Sequence, residues 1–297
     1  MARKNIKYIA FANIMLCLAC NNIEKKNNDT DIAKKDSTEV ISSPNVLTNY
    51  WQNFNFSDST SYSPETSEQI FANFINAFPN YDNKQVSAAI DGLIENSESS
   101  DFAFQYFLNL FDKYLYDGNS PFHNDLYYEM ALNKLVKSQR ISDTDKIKYT
   151  TIKKLVSKNQ MGTKATNFTF STDKKSTQQL YELQGAFTIL FFYEPNCPVC
   201  KSHIETLKKD THFNEYLTEN NINLLAVYPD GNLEIWDNFK NELPQNWINA
   251  IDKNQTILKN QLYDLKASPT IYLLDKDMNV ILKDCSLEHV YQFFSGQ

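Results

Sequence analysis

Arginine is nearly absent from this 297-residue sequence. Its 29 basic side chains are all lysine except for Arg3 and Arg140, and the formal net charge is −7 at pH 7. Proteins that hold nucleic acid usually present a concentrated basic surface to the phosphate backbone. The composition therefore argues against nucleic acid as a partner.

Long apolar runs are absent as well. A transmembrane helix needs about 20 consecutive apolar residues, and the apolar run at residues 8–18 is shorter than that. The run follows Arg3, Lys4 and Lys7. A short apolar run behind basic residues is typical of an export signal, which we predict here.

The export signal ends in the sequence LCLAC at residues 16–20. The small Ala19 directly before Cys20 resembles a bacterial lipobox, although Cys17 stands where that motif prefers leucine. The resemblance implies that residues 1–19 are a lipoprotein signal peptide and that Cys20 carries a lipid. The lipid would anchor the protein to a membrane of the cell envelope, facing the periplasm or the cell surface. A secretory signal of a soluble protein is the alternative.

Residues 20–45 are rich in Asn, Lys, Asp, Ser and Thr and contain few large apolar side chains. Such a segment cannot bury enough apolar surface to offset its ordering entropy, so we predict a flexible tether. The rest of the chain is long enough for two domains, which we place at residues 46–160 and 161–297.

Apolar residues recur at helical spacing through residues 46–160, most clearly at 70–78 and 104–115. This spacing predicts four or five amphipathic helices that form a small all-α domain. Ser120 followed by Pro121 is typical of a helix start, and Ser142 begins a sequence that resembles a capping box.

No residue of this helical domain points to chemistry. An aromatic cluster is predicted to belong to the core, because aromatic stripes usually do. We expect His123 to be a surface or capping side chain, since it has no second ligand at metal-binding spacing. The aromatic cluster consists of Phe102, Phe104, Tyr106 and Phe107.

Three short sequences carry a family resemblance: YWQNFNFSD at residues 50–58, KYLYD at 113–117 and NSP at 119–121. They resemble a helical domain of unknown function that precedes thioredoxin-like modules in envelope lipoproteins of Gram-negative, Bacteroides-type bacteria. The resemblance implies an architecture and not an activity.

The sequence CPVC at residues 197–200 follows a predicted strand at 188–193 and opens a predicted amphipathic helix that includes Ile204, Leu207, Phe213 and Leu217. At a strand-to-helix turn, free main-chain N–H groups and the helix dipole stabilise a thiolate. We therefore predict that Cys197 attacks a disulfide and that Cys200, one turn later, resolves the mixed disulfide.

The following elements are predicted in the order that thioredoxin has. Pro269 precedes a strand, so its position matches the cis-proline of thioredoxin, and we expect the preceding peptide bond to be cis. The match implies that the main chain and side chain of Ser268 contact an extended substrate. The predicted strands lie at residues 223–228, 270–274 and 280–282, and the predicted helices at 233–241, 256–262 and 287–294.

From the sequence GTKATNF at residues 162–168 onward, the chain resembles TlpA-like thiol-disulfide oxidoreductases of the thioredoxin superfamily, an AhpC/TSA-type fold. The resemblance covers residues 161–297 and implies an α/β domain with a central mixed sheet flanked by helices. Two positions depart from the family pattern: Asn196 replaces a tryptophan, and Phe191 replaces the buried aspartate of thioredoxin.

Proton handling must therefore differ from that of thioredoxin. In TlpA-like relatives an acid often follows the second cysteine by three residues, and here that position holds His203. Our hypothesis is that His203 tunes or accepts the proton of Cys200, with Glu205 or Glu194 as weaker candidates. The alternative is an exposed helix histidine without a role.

These residues predict an envelope enzyme that reduces, isomerises or transfers protein disulfides. Its partners would be protein disulfides or dithiols and an upstream redox protein. Motifs for nicotinamide or flavin are absent, so no cofactor is expected and electrons would come from another protein. A non-enzymatic binding or assembly lipoprotein with a structural disulfide is the alternative from another class.

Two further chemical alternatives use the same residues. A peroxiredoxin-like peroxidase needs a Thr or Ser where Glu194 stands, a proline where Leu190 stands and a later arginine. A zinc site could join Cys197 and Cys200 to Cys285 and His289, but it would leave Pro269 unexplained, so we expect no metal. Cys285 is predicted to be a small buried apolar residue, outside the catalytic set.

Overall fold

The computed structural model describes residues 46–172 and 177–296. The predicted signal peptide at residues 1–19, the lipidated Cys20 and the tether at 20–45 lie outside the described residues. Within the described ranges, no helix is both long enough and apolar enough to cross a bilayer.

Five α-helices form the first half of the described chain, which confirms the prediction of a helical domain. Polar side chains cap the last four of them. At the start of the fifth, as its sequence indicates, the Ser142 hydroxyl accepts a hydrogen bond from the N–H of Asp145 at 3.0 Å. A π-helical turn, Asp112–Tyr116, extends the third helix. The helices are α1 (Gln69–Asn76), α2 (Asn83–Ser97), α3 (Asp101–Phe111), α4 (Asp125–Leu135) and α5 (Asp143–Val156).

The aromatic cluster of α3 divides between core and surface. Phe107 is 1% exposed and packs edge-on against Trp51, with ring centroids 5.1 Å apart. Phe102 is 58% exposed, so the prediction that it lies in the core is wrong. A helix turns once in about 3.6 residues, so four aromatic side chains within six positions cannot all face one core.

The predicted helix start at Ser120 is also wrong. The Ser120 hydroxyl donates a hydrogen bond to the carbonyl of Tyr114 at 2.7 Å and so fixes a turn. The helix begins at Asp125, where Asn124 caps it by accepting a hydrogen bond from the N–H of Tyr127 at 3.1 Å. The turn at residues 117–124 is thereby free of helix and available for contacts with the second half.

The second half contains one mixed sheet flanked by helices, as predicted. Its strand order among the described residues is β2-β1-β5-β4-β3-β6-β7, with β3 parallel to β4 and antiparallel to β6. The strands are β1 (Thr169–Thr172), β2 (Thr177–Gln179), β3 (Phe187–Phe192), β4 (Ile222–Tyr228), β5 (Ile248–Ile251), β6 (Thr270–Asp275) and β7 (Val280–Leu282).

Alternate residues of β3 face two different cores, as its almost wholly apolar sequence requires. Ile189 and Phe191 face the core that holds α6, α7 and α10, whereas Leu190 and Phe192 face the core that holds α9. The helices are α6 (Pro198–Lys209), α7 (Thr211–Glu219), α8 (Leu233–Phe239), α9 (Thr256–Lys259) and α10 (Leu287–Ser295).

The helix predicted after the cysteines is in fact two helices. Asp210 leaves the helical conformation, with φ −82° and ψ 83°, and its carboxylate accepts a hydrogen bond from the N–H of Phe213 at 2.9 Å. Leu207 and Phe213 are buried in the same core, although one continuous helix of 3.6 residues per turn would place residues six apart on different faces. The break at Asp210 brings both side chains to that core.

Candidate active site

Cys197 lies at the start of α6, directly after the turn that leaves β3. Its main-chain N–H donates a hydrogen bond to the carbonyl of Glu194 at 3.0 Å. Pro198 occupies the first helical position, where proline breaks no helical hydrogen bond. The Cys197 sulfur caps the helix by accepting a hydrogen bond from the N–H of Cys200 at 3.3 Å. Because a helix N-terminus carries partial positive charge, this position stabilises a thiolate.

The two cysteines differ in their access to solvent. Both are free thiols in this structure, Cys197 half-buried and Cys200 fully buried. Burial is the largest cause that raises the pKa of Cys200 to about 12. A hydrogen bond from the Glu194 main chain acts in the opposite direction, whereas Cys197 and the charge of Glu194 raise the pKa further. An incoming disulfide therefore meets the Cys197 sulfur first, and Cys200 needs a proton acceptor before it can attack.

The loop before β6 brings Ser268 and Pro269 to the cysteines. Thr270 pairs with Phe192 at the end of β3, so the two strands deliver the loop and Cys197 to the same edge of the sheet. The predicted cis peptide bond between Ser268 and Pro269 is present. The Cys197 thiol donates a hydrogen bond to the carbonyl of Ser268 at 3.4 Å.

Three side chains were candidates for handling the proton of Cys200, and the structure places them differently. Glu194 is half-buried, its main chain hydrogen bonds to the Cys200 sulfur, and its charge raises the pKa of Cys200. Burial, followed by the nearby Asp230, raises the pKa of Glu194 itself. The His203 ring instead contacts the carbonyl of Val199, with its Nδ1 at 2.8 Å.

Glu205, the third candidate, is exposed and faces lysines of its own helix. Its carboxylate lies 3.9 Å from Lys208 and 3.7 Å from Lys209. Such exposed pairs are weak and are common on helix surfaces. Of the three candidates, Glu194 is thus the one whose main chain contacts the cysteine pair and whose charge acts on Cys200.

Comparison with known proteins identifies the family of the chain. Residues 41–159 match the family model of a domain of unknown function, DUF5106, and residues 161–283 match that of the AhpC/TSA family. A solved structure of a thioredoxin-like protein from Bacteroides caccae is 32% identical, covers 91% of this chain and 100% of its own, and superposes with a TM-score of 0.81. The chain belongs to the thioredoxin-like family.

Two other solved structures each cover less than half of this chain. The C-terminal domain of an uncharacterized protein from Bacteroides fragilis is 39% identical, covering 46% of this chain and 98% of its own, with a TM-score of 0.45. A domain of a possible thiol-disulfide isomerase from Cytophaga hutchinsonii is 26% identical, covering 47% of this chain and 94% of its own, with a TM-score of 0.40. No curated protein matches the chain.

Cys285 and His289 of this thioredoxin-like protein lie in a different cleft, of about 430 Å³, which His123 and Lys283 also line. The main-chain N–H of Cys285 bonds to the carbonyl of Ile271 at 3.0 Å. Burial, followed by the charge of Asp284, raises the pKa of the Cys285 thiol to about 12. Cys285 is half-buried, as Cys197 is, rather than fully buried as predicted, but its raised pKa makes it a weak nucleophile at neutral pH.

The ligand groups of the zinc alternative do not gather within the described chain. There, the His, Cys, Asp and Glu ligand atoms that come within 4.8 Å of one another belong to His123, Asp125 and Asp284. The prediction that His123 is a surface or capping side chain is therefore wrong. Its side chain is 11% exposed, and Nε2 lies 3.2 Å from Asp125 and 3.5 Å from Asp284.

His123 belongs to a buried group of charges that spans both halves of the protein. We call it the charge cluster. Its members lie far apart in sequence, Asp125 and Lys266 by 141 residues, so no local motif could have revealed it. The charge cluster consists of His123 and Asp125 from the helical half and Asp264, Lys266, Lys283 and Asp284 from the thioredoxin-like half.

Proposed function

We propose that this protein exchanges thiols and disulfides with protein substrates through Cys197 and Cys200. The observation that carries the proposal is the asymmetric pair itself. The half-buried Cys197 sulfur caps the N-terminus of α6 and accepts a hydrogen bond from the N–H of Cys200 at 3.3 Å. The Cys200 side chain itself is fully buried. An inert structural bridge would usually join segments farther apart in sequence.

In the reducing direction, the Cys197 thiolate attacks one sulfur of a substrate disulfide. The substrate S–S bond breaks, its other sulfur leaves as a thiolate, and a mixed disulfide with Cys197 forms. Cys200 then loses its proton and attacks the Cys197 sulfur, which releases the second substrate thiolate. Two electrons pass to the substrate, and the pair ends as a disulfide. A partner protein restores the dithiol, and the same steps run in reverse for oxidation.

Glu194 is the acceptor that we propose for the proton of Cys200. Glu194 is half-buried and its charge acts on the Cys200 thiol, and its raised pKa brings it closer to the range in which a general base works. His203 is the competing candidate from the sequence, and its contact with the Val199 carbonyl is compatible with an indirect effect.

An envelope location, with an anchor at Cys20, is part of the proposal and rests on the sequence of residues 1–20 alone. It suits the chemistry, because protein disulfides persist in that compartment. Incorporation of a labelled fatty acid that depends on Cys20 would test it, and release of Cys20→Ser into the soluble fraction is the expected counterpart.

The test of the function uses the full chain in detergent and a peptide that contains one disulfide. We expect Cys200→Ser to accumulate a mixed disulfide with the peptide, because Cys197 still attacks and nothing resolves the product. Cys197→Ser should form none, and Cys285→Ser should behave as the wild type. Mass spectrometry after alkylation identifies each adduct.

An equilibrium redox titration of the same sample gives the direction of disulfide exchange. A reduction potential of about −270 mV is that of a reductase, and one of about −120 mV is that of a disulfide donor. A pair that never cycles between dithiol and disulfide would overturn the proposal and favour the non-enzymatic assembly protein.

A further inference from the structure

A turn of the helical half touches the loop that faces the reactive cysteine. A Cβ added to Gly118 would lie 2.7 Å from the Cβ of Ala267, closer than real side chains approach. Ala267 directly precedes Ser268, whose carbonyl accepts the hydrogen bond from Cys197. Ala267 and Ser268 therefore link Gly118 of the helical half to the Cys197 sulfur.

The charge cluster holds this contact in place. The Lys266 ammonium, one residue before Ala267, lies 3.0 Å from carboxylate oxygens of both Asp125 and Asp284. It also lies 5.0 Å from the centre of the Tyr116 ring, two residues before Gly118. Separating such buried, paired charges would leave one of them uncompensated. The cluster therefore fixes the loop and the turn against each other from both sides.

The cluster is better suited to this clamping role than to binding a metal. Asp125 has Lys266 at 3.0 Å from one carboxylate oxygen and Lys283 at 3.0 Å from the other. Two ammonium groups thus neutralise the carboxylates that a cation would need. The side chains that form these ion pairs are at most 10% exposed; they are Asp125, Lys266, Lys283 and Asp284.

The turn is exposed on both sides of Gly118. Asp117 and Asn119 face solvent, whereas Gly118 between them packs on Ala267. Asp117 and Asn119 are the chain neighbours of Gly118, and Ser268 is the chain neighbour of Ala267, which Gly118 approaches. We therefore expect a polypeptide that extends along Ser268 toward Cys197 to meet these exposed residues, whereas a small disulfide needs only the two sulfurs.

We propose that residues 116–120 of the helical half form one wall of the substrate groove and select extended polypeptide disulfides for attack by Cys197. The proposal rests on the thiol-disulfide exchange proposed above and adds its substrate class. Gly118 acts as a positioning residue, because its missing side chain sets how closely the wall approaches Ser268.

The test compares single-site variants of the full chain with a peptide disulfide and with oxidised glutathione as substrates. Gly118→Ala should raise the KM for the peptide about tenfold, which corresponds to about 1.4 kcal/mol and lies within the range of overpacking effects. We expect kcat, the rate with oxidised glutathione and the reduction potential to stay within twofold of the wild type.

Two further variants separate selection from general damage. Gly92→Ala is the matched control, since a Cβ at that helical glycine would meet nothing within 4 Å. Adding Ala267→Gly to Gly118→Ala removes the methyl group that the new side chain strikes, so the double variant should regain most of the peptide KM.

Each outcome bears on one proposal. An equal loss for both substrates in Gly118→Ala, or a peptide KM unchanged from the wild type, would overturn the selecting wall. A double variant as impaired as Gly118→Ala would also overturn it. A wild-type protein that exchanges with neither substrate would instead overturn the proposed function.

Discussion

Glu194 combines two properties that seldom occur together in a surface carboxylate. It is half-buried just after β3, and its charge raises the pKa of the Cys200 thiol. Burial and Asp230 raise its pKa, so it exchanges a proton at a higher pH than an ordinary glutamate does. A carboxylate in this position can act in two ways on Cys200, and the two have opposite signs.

Replacing Glu194 distinguishes these two actions. If Glu194 accepts the proton of Cys200, Glu194→Gln should slow resolution of the mixed disulfide on the order of 100-fold, a usual effect of losing a general base. If its charge acts only through space, resolution should become faster, because losing the charge lowers the pKa of Cys200. Stopped-flow measurement of peptide release at pH 7 gives the sign.

The pH profile and a second variant complete this test. As the pH falls, the wild-type rate of resolution should decrease with a midpoint above the usual glutamate pKa of about 4.3, because the pKa of Glu194 is raised. His203→Ala should retain both rate and profile. A loss of this decrease at low pH in His203→Ala, but not in Glu194→Gln, would return the role to the histidine.

The cysteine pair and Pro269 could be predicted from the sequence because their chemistry depends on a local motif and on its place between a strand and a helix. The preference for Glu194 over His203 could not. Both lie three residues from a cysteine of the pair, and spacing alone does not show that the charge of Glu194 acts on Cys200 while the His203 ring contacts the Val199 carbonyl.

Among the secondary-structure elements, α6 and α7 owe their separation to a single side chain. The Asp210 carboxylate accepts the N–H of Phe213 at 2.9 Å through one oxygen and the hydroxyl of Tyr291 at 3.0 Å through the other. It thus caps α7 and ties the break to α10. Asp210→Ala should lower the free energy of unfolding by about 1–2 kcal/mol.

Urea denaturation of the purified protein measures this change. Asp210→Asn is the matched control, because its amide oxygen can still cap α7, and it should lose clearly less stability than the alanine variant. Equal losses in the two variants would show that the cap contributes nothing and that the charge alone matters.

Periodicity predicted the long, regular elements well. The expected strands at 223–228, 270–274 and 280–282 correspond closely to Ile222–Tyr228, Thr270–Asp275 and Val280–Leu282. Strands β1, β2 and β5 were not predicted. Each has at most four residues, as the predicted β7 does, but polar side chains interrupt their apolar runs, whereas β7 is wholly apolar. Whether a polar side chain caps a helix or fixes a turn, as at Ser120, depends on contacts that spacing does not contain.

At the scale of the whole molecule, the charge cluster makes stability depend on pH. Burial opposes the charge of Asp125, but its contacts with His123, Lys266 and Lys283 outweigh burial and hold its pKa well below the usual range. A carboxyl group whose pKa is lower in the folded state stabilises the fold above its unfolded pKa, and the contribution is lost as the pH falls.

Asp125→Asn should therefore lower the free energy of unfolding at pH 7 by about 3 kcal/mol, since it leaves two buried lysines short of a partner. The difference in the free energy of unfolding between variant and wild type should decrease below about pH 4. There the unfolded state of the wild type begins to bind a proton at Asp125, so the charge of Asp125 stabilises the fold less. Urea titrations between pH 3 and pH 7 measure both effects.

Asp101→Asn is the control for removing an acidic charge without burial, because the Asp101 side chain is 89% exposed. We expect a change of less than about 1 kcal/mol at any pH in this range. A gap between Asp125→Asn and the wild type that stays constant down to pH 3 would mean that the Asp125 charge does not stabilise the fold.

The cluster has a consequence for how this protein can change over evolutionary time. Its six members are divided between two halves that match different family models, with His123 and Asp125 on one side and four partners on the other. A recombination event that joined this helical half to an unrelated thioredoxin-like domain would leave buried charges without partners. We therefore expect the two halves to be inherited together and substitutions at Asp125 and Lys266 to be correlated among descendants.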